Sequence, residues 1–230
     1  MDRCNRTGAR VPNRNLRLAG IAVALVASSG LLALQTGCVN ALAAAAYIIR
    51  GQTVSAEFPG LKNKKVAVVC RPLAQLEYSA GNASEDLARQ VGMLLKQNIR
   101  GIKIVDPELV AEWSDEHNWS EYTEIGEALN ADVVLGLDLR DFGLYQGMTL
   151  YQGRAKVALA VYDMRDEGKI LYQRSLPQVV YPPNSGIPTS EKPDDEFRRQ
   201  YIGVLADEIG KHFYDHDGMA DFARDATAMR

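Results

Sequence analysis

Apolar positions divide the chain into one unbroken stretch near its start and a later series of segments with strand or helix periods. Residues 18–34, LAGIAVALVASSGLLAL, contain no charge. These 17 residues exceed the usual length of a signal-peptide core and sit near the lower limit for a membrane-spanning helix. Beyond them, Lys65-Val66-Ala67-Val68-Val69-Cys70 is a continuous run of the kind found in strands covered on both faces, and Pro72 ends it. Asn82, with Glu85 three positions on, reads as a capping-box variant. It precedes a helix carrying Leu87, Val91, Leu94, Leu95 and Asn98 along one side. Gly101 breaks that helix and Ile102–Val105 gives a second strand. Asp106-Pro107 then starts a helix whose buried side is expected at Leu109, Val110 and Trp113.

Ser120 is expected to cap a short helix through Ile125, Ala128 and Leu129, ending near Asn130. Alternating positions then predict strands over Ala131–Leu139, Ala155–Tyr162 and Ile170–Leu176, with turns near Gly147 and at Asp166-Glu167-Gly168. Residues 182–195 hold four prolines and read as a surface loop. A final helix is expected from about Asp194 to Tyr214, with Phe197, Tyr201, Val204, Leu205, Ile209 and Phe213 as its stripe. This order predicts an α/β (α+β) fold, a single domain with a mixed β-sheet of about five strands and helices packed on it. The expected divisions are a signal peptide at 1–37, a tether at 38–63, the domain at 64–217 and a flexible tail at 218–230.

Charge sharpens this division. Arg3, Arg6, Arg10, Arg14 and Arg17 precede the apolar stretch and are opposed there only by Asp2. Of the chain's 26 basic and 29 acidic residues, 21 and 28 remain after residue 37, a net charge of −7. Such a surface repels a phosphate backbone, so no nucleic-acid partner is expected. A basic end followed by an apolar stretch is the pattern of a secretory signal.

Leu34-Gln35-Thr36-Gly37-Cys38 follows directly. The segment resembles the lipobox of bacterial lipoproteins, in which diacylglycerol is attached to a cysteine before a peptidase cuts on its amino side. The resemblance implies lipidation of Cys38, cleavage between Gly37 and Cys38, and added acyl chains such as palmitate. Gln35 stands where that family prefers Leu. Val39, in place of the Asp that favours inner-membrane retention, implies outer-membrane residence facing the periplasm. Cys4 would leave with the signal and Cys38 would carry lipid. Cys70 would then be left as a buried, unreactive thiol.

Across residues 64–180, Lys65–Val69, Ile104-Val105-Asp106 and Leu129-Asn130-Ala131-Asp132-Val133-Val134-Leu135-Gly136 resemble the α/β domain of periplasmic lipoproteins and assembly factors. That group includes the TolB amino-terminal domain, CsgG and LpoB. The hairpin at Asp163–Lys169 fits their later strands. The resemblance implies a fold and, for its members, binding to other envelope proteins or building secretion pores.

Candidate chemistry is sparse. There is no Walker A sequence, no GxGxxG after the first strand and no G-x-S-x-G elbow. Asp141-Phe142-Gly143 lacks the companion motifs of a kinase. His212 and His216, four apart in a predicted helix, would face one way and could hold a metal, with Asp215 or Asp217 assisting. Asp132 and Asp138 share a strand face if the strand is unbroken. Trp113, His117, Trp119 and Tyr122 form an aromatic patch that could cover core or bind a partner. No cofactor is implied. The sequence therefore points to a membrane-anchored periplasmic lipoprotein, not an enzyme, that acts as a binding, assembly or accessory factor. Its expected partners are the membrane, through the amino-terminal lipid, and an envelope protein. The alternative is a metal-assisted envelope enzyme using His212 and His216.

Overall fold

A computed structural model describes residues 53–72 and 82–218. Cys38, Gly37, the apolar stretch 18–34 and the tail from 219 onward lie outside the described residues.

The chain runs β1 (Thr53–Val54), β2 (Lys65–Pro72), α1 (Ala83–Asn98), β3 (Lys103–Ile104), α2 (Pro107–Glu116), α3 (Tyr122–Ala128) and β4 (Val133–Gln146). It continues through β5 (Leu150–Asp163), β6 (Lys169–Ser175), β7 (Val179–Tyr181), β8 (Ile187–Pro188), α4 (Asp194–Gly210) and β9 (His216–Asp217). Five strands follow the order β3-β2-β4-β5-β6, and two short ones, β7 and β8, pair with the first half of β5. The sheet is mixed, as expected: β2 is parallel to β3 and β4, and the remaining pairs are antiparallel.

Both faces of β2 and the start of β4 are covered, which is why their apolar runs are unbroken. On one face, Val66, Val68, Leu135 and Leu137 meet Leu87, Val91 and Leu95 of α1 and Tyr201, Leu205 and Ile209 of α4. On the other, Ala67, Val69 and Val134 pack against Val110, Tyr122 and Ile125. Helix α1 starts where expected, but the Asn82 side chain makes no cap bond. Asp106 does cap α2, accepting from the Glu108 N–H at 3.0 Å. Leu109, expected inside, is 50% exposed, and Val110 alone on α2 is fully buried. The cap of α3 is a capping box of Glu121 and Glu124 rather than Ser120, whose amide and hydroxyl both point to the Glu124 carboxylate.

Strand β4 runs well past Leu139. A bulge at Arg140 explains why the alternation hides this: Leu139 pairs Val157 and Asp141 pairs Lys156, so the inward parity changes from odd to even. Phe142 thereby joins the same core as Leu139, 5.8 Å from the Tyr201 ring. The proline-rich stretch also departs from a bare loop, because β8 within it pairs with Leu150 and Tyr151.

The described end of the expected tether, residues 53–63, contributes to the fold. Leu61 is fully buried, Phe58 donates its N–H to the His212 carbonyl at 2.8 Å, and β1 pairs with β9. The final helix stops at Gly210, short of Tyr214. Among the described residues no helix is long and apolar enough to cross a membrane.

Candidate functional site

Strand β3 pairs with β2 only at Lys65 and Val66. From Val68 onward the same edge of β2 borders a cavity of about 730 Å³ instead of a neighbouring strand. Its walls come from four elements: Val68 to Arg71 of β2, Ser84 to Arg89 of α1, Pro107 to Asp115 of α2, and Asp138 and Arg140 of β4. Trp119 closes one side. Parallel strands with helices on opposite faces leave such a crevice at their carboxyl ends, where ligands bind in open α/β sheets.

Polar contacts fix one wall. Arg71 donates from Nη1 to the Ser120 carbonyl at 2.7 Å and from Nη2 to Asp138 Oδ1 at 3.3 Å. Its guanidinium lies 4.8 Å from the Tyr122 ring centre and 5.5 Å from that of Trp119. Tyr122 donates its hydroxyl to Asp138 Oδ1 at 2.7 Å. Burial, and then that hydrogen bond, push the Tyr122 phenol far above its ordinary range, so it stays a donor. Cys70 is half-buried on the wall. Desolvation and the negative Asp138 raise its thiol, which makes it a poor nucleophile, as the sequence suggested.

The aromatic patch read from the sequence divides in two. Trp113 stacks on His117 at 4.5 Å, and Trp119 tilts against Tyr122 at 5.7 Å. Tyr122 is core and Trp119 lines the cavity. Asp132 and Asp138 serve separate contacts. Asp132, just before β4, accepts from the Lys65 N–H at 2.8 Å and from Arg165 at 2.6 Å.

The two histidines do not share a helix face. With α4 ending at Gly210, His212 falls in the following turn, its Nδ1 3.2 Å from Glu57 Oε2 and 3.0 Å from the Tyr172 hydroxyl. His216 lies in β9, its Nδ1 3.3 Å from the Tyr214 carbonyl. Among the described residues no group of three or more His, Cys, Asp or Glu side chains is placed to hold a metal ion.

Sequence reasoning missed Arg71, Ser84, Arg89 and Arg140 as a set. Four elements, α1, β3, α2 and α3, separate the first from the last, and no spacing rule links them.

No protein-family model matches the chain and no curated protein sequence matches it. Among solved structures it is similar to the PelC dodecamer subunit from Paraburkholderia phytofirmans, at 13% identity and a TM-score of 0.43, over 71% of this chain and 98% of that one. It is also similar to lipoprotein GNA1162 from Neisseria meningitidis, at 13% identity and a TM-score of 0.40, over 63% and 96%. The LpoB carboxy-terminal domain from Salmonella enterica is similar at 11% identity and a TM-score of 0.35, over 57% and 89%. A bacterial lipoprotein and the LpoB carboxy-terminal domain thus stand among the structures this chain is similar to.

Proposed function

We infer that this chain is a lipid-anchored protein of the bacterial envelope whose α/β domain works by binding, as an assembly or accessory factor facing the periplasm. The observation that carries the reading is Cys38 and its setting: five arginines, 17 uncharged residues, then small residues running into the cysteine. Lipid on Cys38 after cleavage at Gly37 would hold the domain at the membrane surface, and Val39 favours the outer membrane. A single acyl chain anchors weakly, whereas several acyl chains on one residue hold a protein durably.

The cavity supports binding over catalysis. Its thiol is held protonated, and its Asp138 carboxylate is shared between Tyr122 and Arg71. Fractionation of cells tests the reading: the wild-type chain should pellet with membranes, and Cys38→Ser should move to the soluble periplasmic fraction or stay as an uncleaved precursor. Equal release of both proteins by a high-salt wash would overturn it.

A further inference from the structure

The acidic excess after residue 37 is unevenly placed on the domain. Lys62 and Lys64 lie in the turn before β2, Lys96 and Arg100 at the end of α1, and Lys103 in β3. Strand pairing brings these segments together. Lys103 stands in register with Lys65 and donates its N–H to the Lys64 carbonyl at 2.9 Å. A Cβ on Gly101 would collide with Asn63 Oδ1, so the loop after α1 rests on the turn that holds Lys62. Lys62, Lys96, Arg100 and Lys103 are exposed and Lys64 is half-buried. Among the described residues none of the five forms an ion pair with a carboxylate, and Lys64 acts on Asp132 only at longer range. At this end Asp132 is taken by the Lys65 N–H and Arg165, and Asp166 by Lys169.

Two further observations give this end a direction. Helix α4 starts beside the far end of β4, where Tyr145 donates to Asp194 at 2.5 Å. It finishes beside Tyr172, whose β5 partner Val161 pairs with Leu135 near the start of β4. Asp194, Asp195 and Glu196 therefore lie roughly 40 Å along the strand from the cations. The described end of the tether, by contrast, is fastened at the cationic end. Phe58 bonds to the His212 carbonyl just past α4, and Leu61, next to Lys62, is fully buried.

We propose that Lys62, Lys64, Lys96, Arg100 and Lys103 form a surface that docks on the anionic headgroups of a phospholipid membrane, with the acidic start of α4 directed away from it. Each Lys or Arg near such a membrane adds an attraction that fades within a Debye length. A membrane fits the surface better than an acidic protein does, because lipid on Cys38 would bring it there. Only the 14 residues 39–52 separate Cys38 from Thr53, a reach of at most about 50 Å. Contact with the membrane is then intramolecular, and a surface of modest affinity suffices. This deepens the anchored reading and rests on it for bringing the membrane within reach.

Amine acylation of the membrane-extracted full chain, read lysine by lysine by mass spectrometry, tests the surface. The chain is placed on vesicles of phosphatidylcholine alone or with about 30% phosphatidylglycerol. The anionic vesicles should slow labelling of Lys62, Lys64, Lys96 and Lys103 about 5-fold relative to the neutral ones. Lys156, exposed on β5 opposite Asp141, should be labelled equally on both. Salt at about 0.5 M should abolish the difference. A triple variant, Lys62→Gln with Arg100→Gln and Lys103→Gln, changes only exposed side chains and should leave Lys64 and Lys96 equally labelled on both vesicles. Equal labelling of the wild type on both, slowing that extends to Lys156, or slowing of Lys64 and Lys96 that persists in the triple variant would overturn the proposal. Flotation with neutral vesicles reads the anchor alone: a chain that stays below contradicts the lipid reading, and protection by added anionic vesicles still decides this one.

Discussion

Tyr122 and Asp138, sixteen residues apart, are joined by a 2.7 Å hydrogen bond that ties α3 to the middle of β4. The same carboxylate oxygen receives Arg71 from β2, so one atom links three elements around the cavity wall. Tyr122→Phe keeps the ring and removes the donor. It should cost about 1–2 kcal/mol in urea unfolding, and it should loosen Arg71 at the cavity. Unchanged stability would show that the bond is replaced by water.

Two glycines should respond in opposite directions to Ala. At Gly153 of β5, an added methyl would collide with the Tyr201 ring of α4, whose face lies directly on the strand. Gly153→Ala should therefore destabilise by about 1–3 kcal/mol. Gly203, inside α4, has open space around it, and Gly203→Ala should stabilise by about 0.5–1 kcal/mol through helix propensity. Thermal unfolding of both variants checks the packing of α4 on the sheet.

Acid should weaken the fold in part through Asp132. The Lys65 N–H, and next Arg165, hold its carboxyl below the ordinary Asp value. A lowered folded-state value contributes stability that is present above the unfolded pKa of about 3.9 and is lost as pH falls through the folded one. Asp132→Asn should then be less stable than wild type by about 1 kcal/mol near neutrality. That gap should close as pH falls below about 4. A gap independent of pH would contradict this account.

His212 joins a cluster with Glu57 and Tyr172, and Arg174 lies 3.8 Å from the same carboxylate. The Tyr172 hydrogen bond first, and then His212 and Arg174, keep the Glu57 carboxyl below its ordinary range. The cluster fastens residues 53–60 to the turn after α4. His212→Ala should lower stability by about 1 kcal/mol, while a zinc titration should show no stoichiometric site lost with that residue. Tight zinc binding abolished in both His212→Ala and His216→Ala would restore the metal reading.

Legibility followed periodicity. β2 and α1 were read nearly to their limits, and α4 at its start, because each buries a regular stripe, and the mixed sheet followed from their order. The second half of β4 was not, since the Arg140 bulge inverts its parity, and the pairing of β8 depends on β5 rather than on its own residues. Leu109 misled because α2 presents only Val110 fully inward. The histidine pair misled because α4 ends at Gly210, and nothing at the end of its stripe marks the stop. The cavity was invisible in the sequence: it exists because β3 is two residues long, and its arginines converge from separate elements.

The most direct test of the account is the intact mass of the membrane-extracted chain beside its Cys38→Ser variant. The account predicts a wild-type mass that begins at Cys38 and carries diacylglycerol and further acyl chains, all absent from the variant. A wild-type mass that retains residues 1–37 and carries no lipid would contradict it.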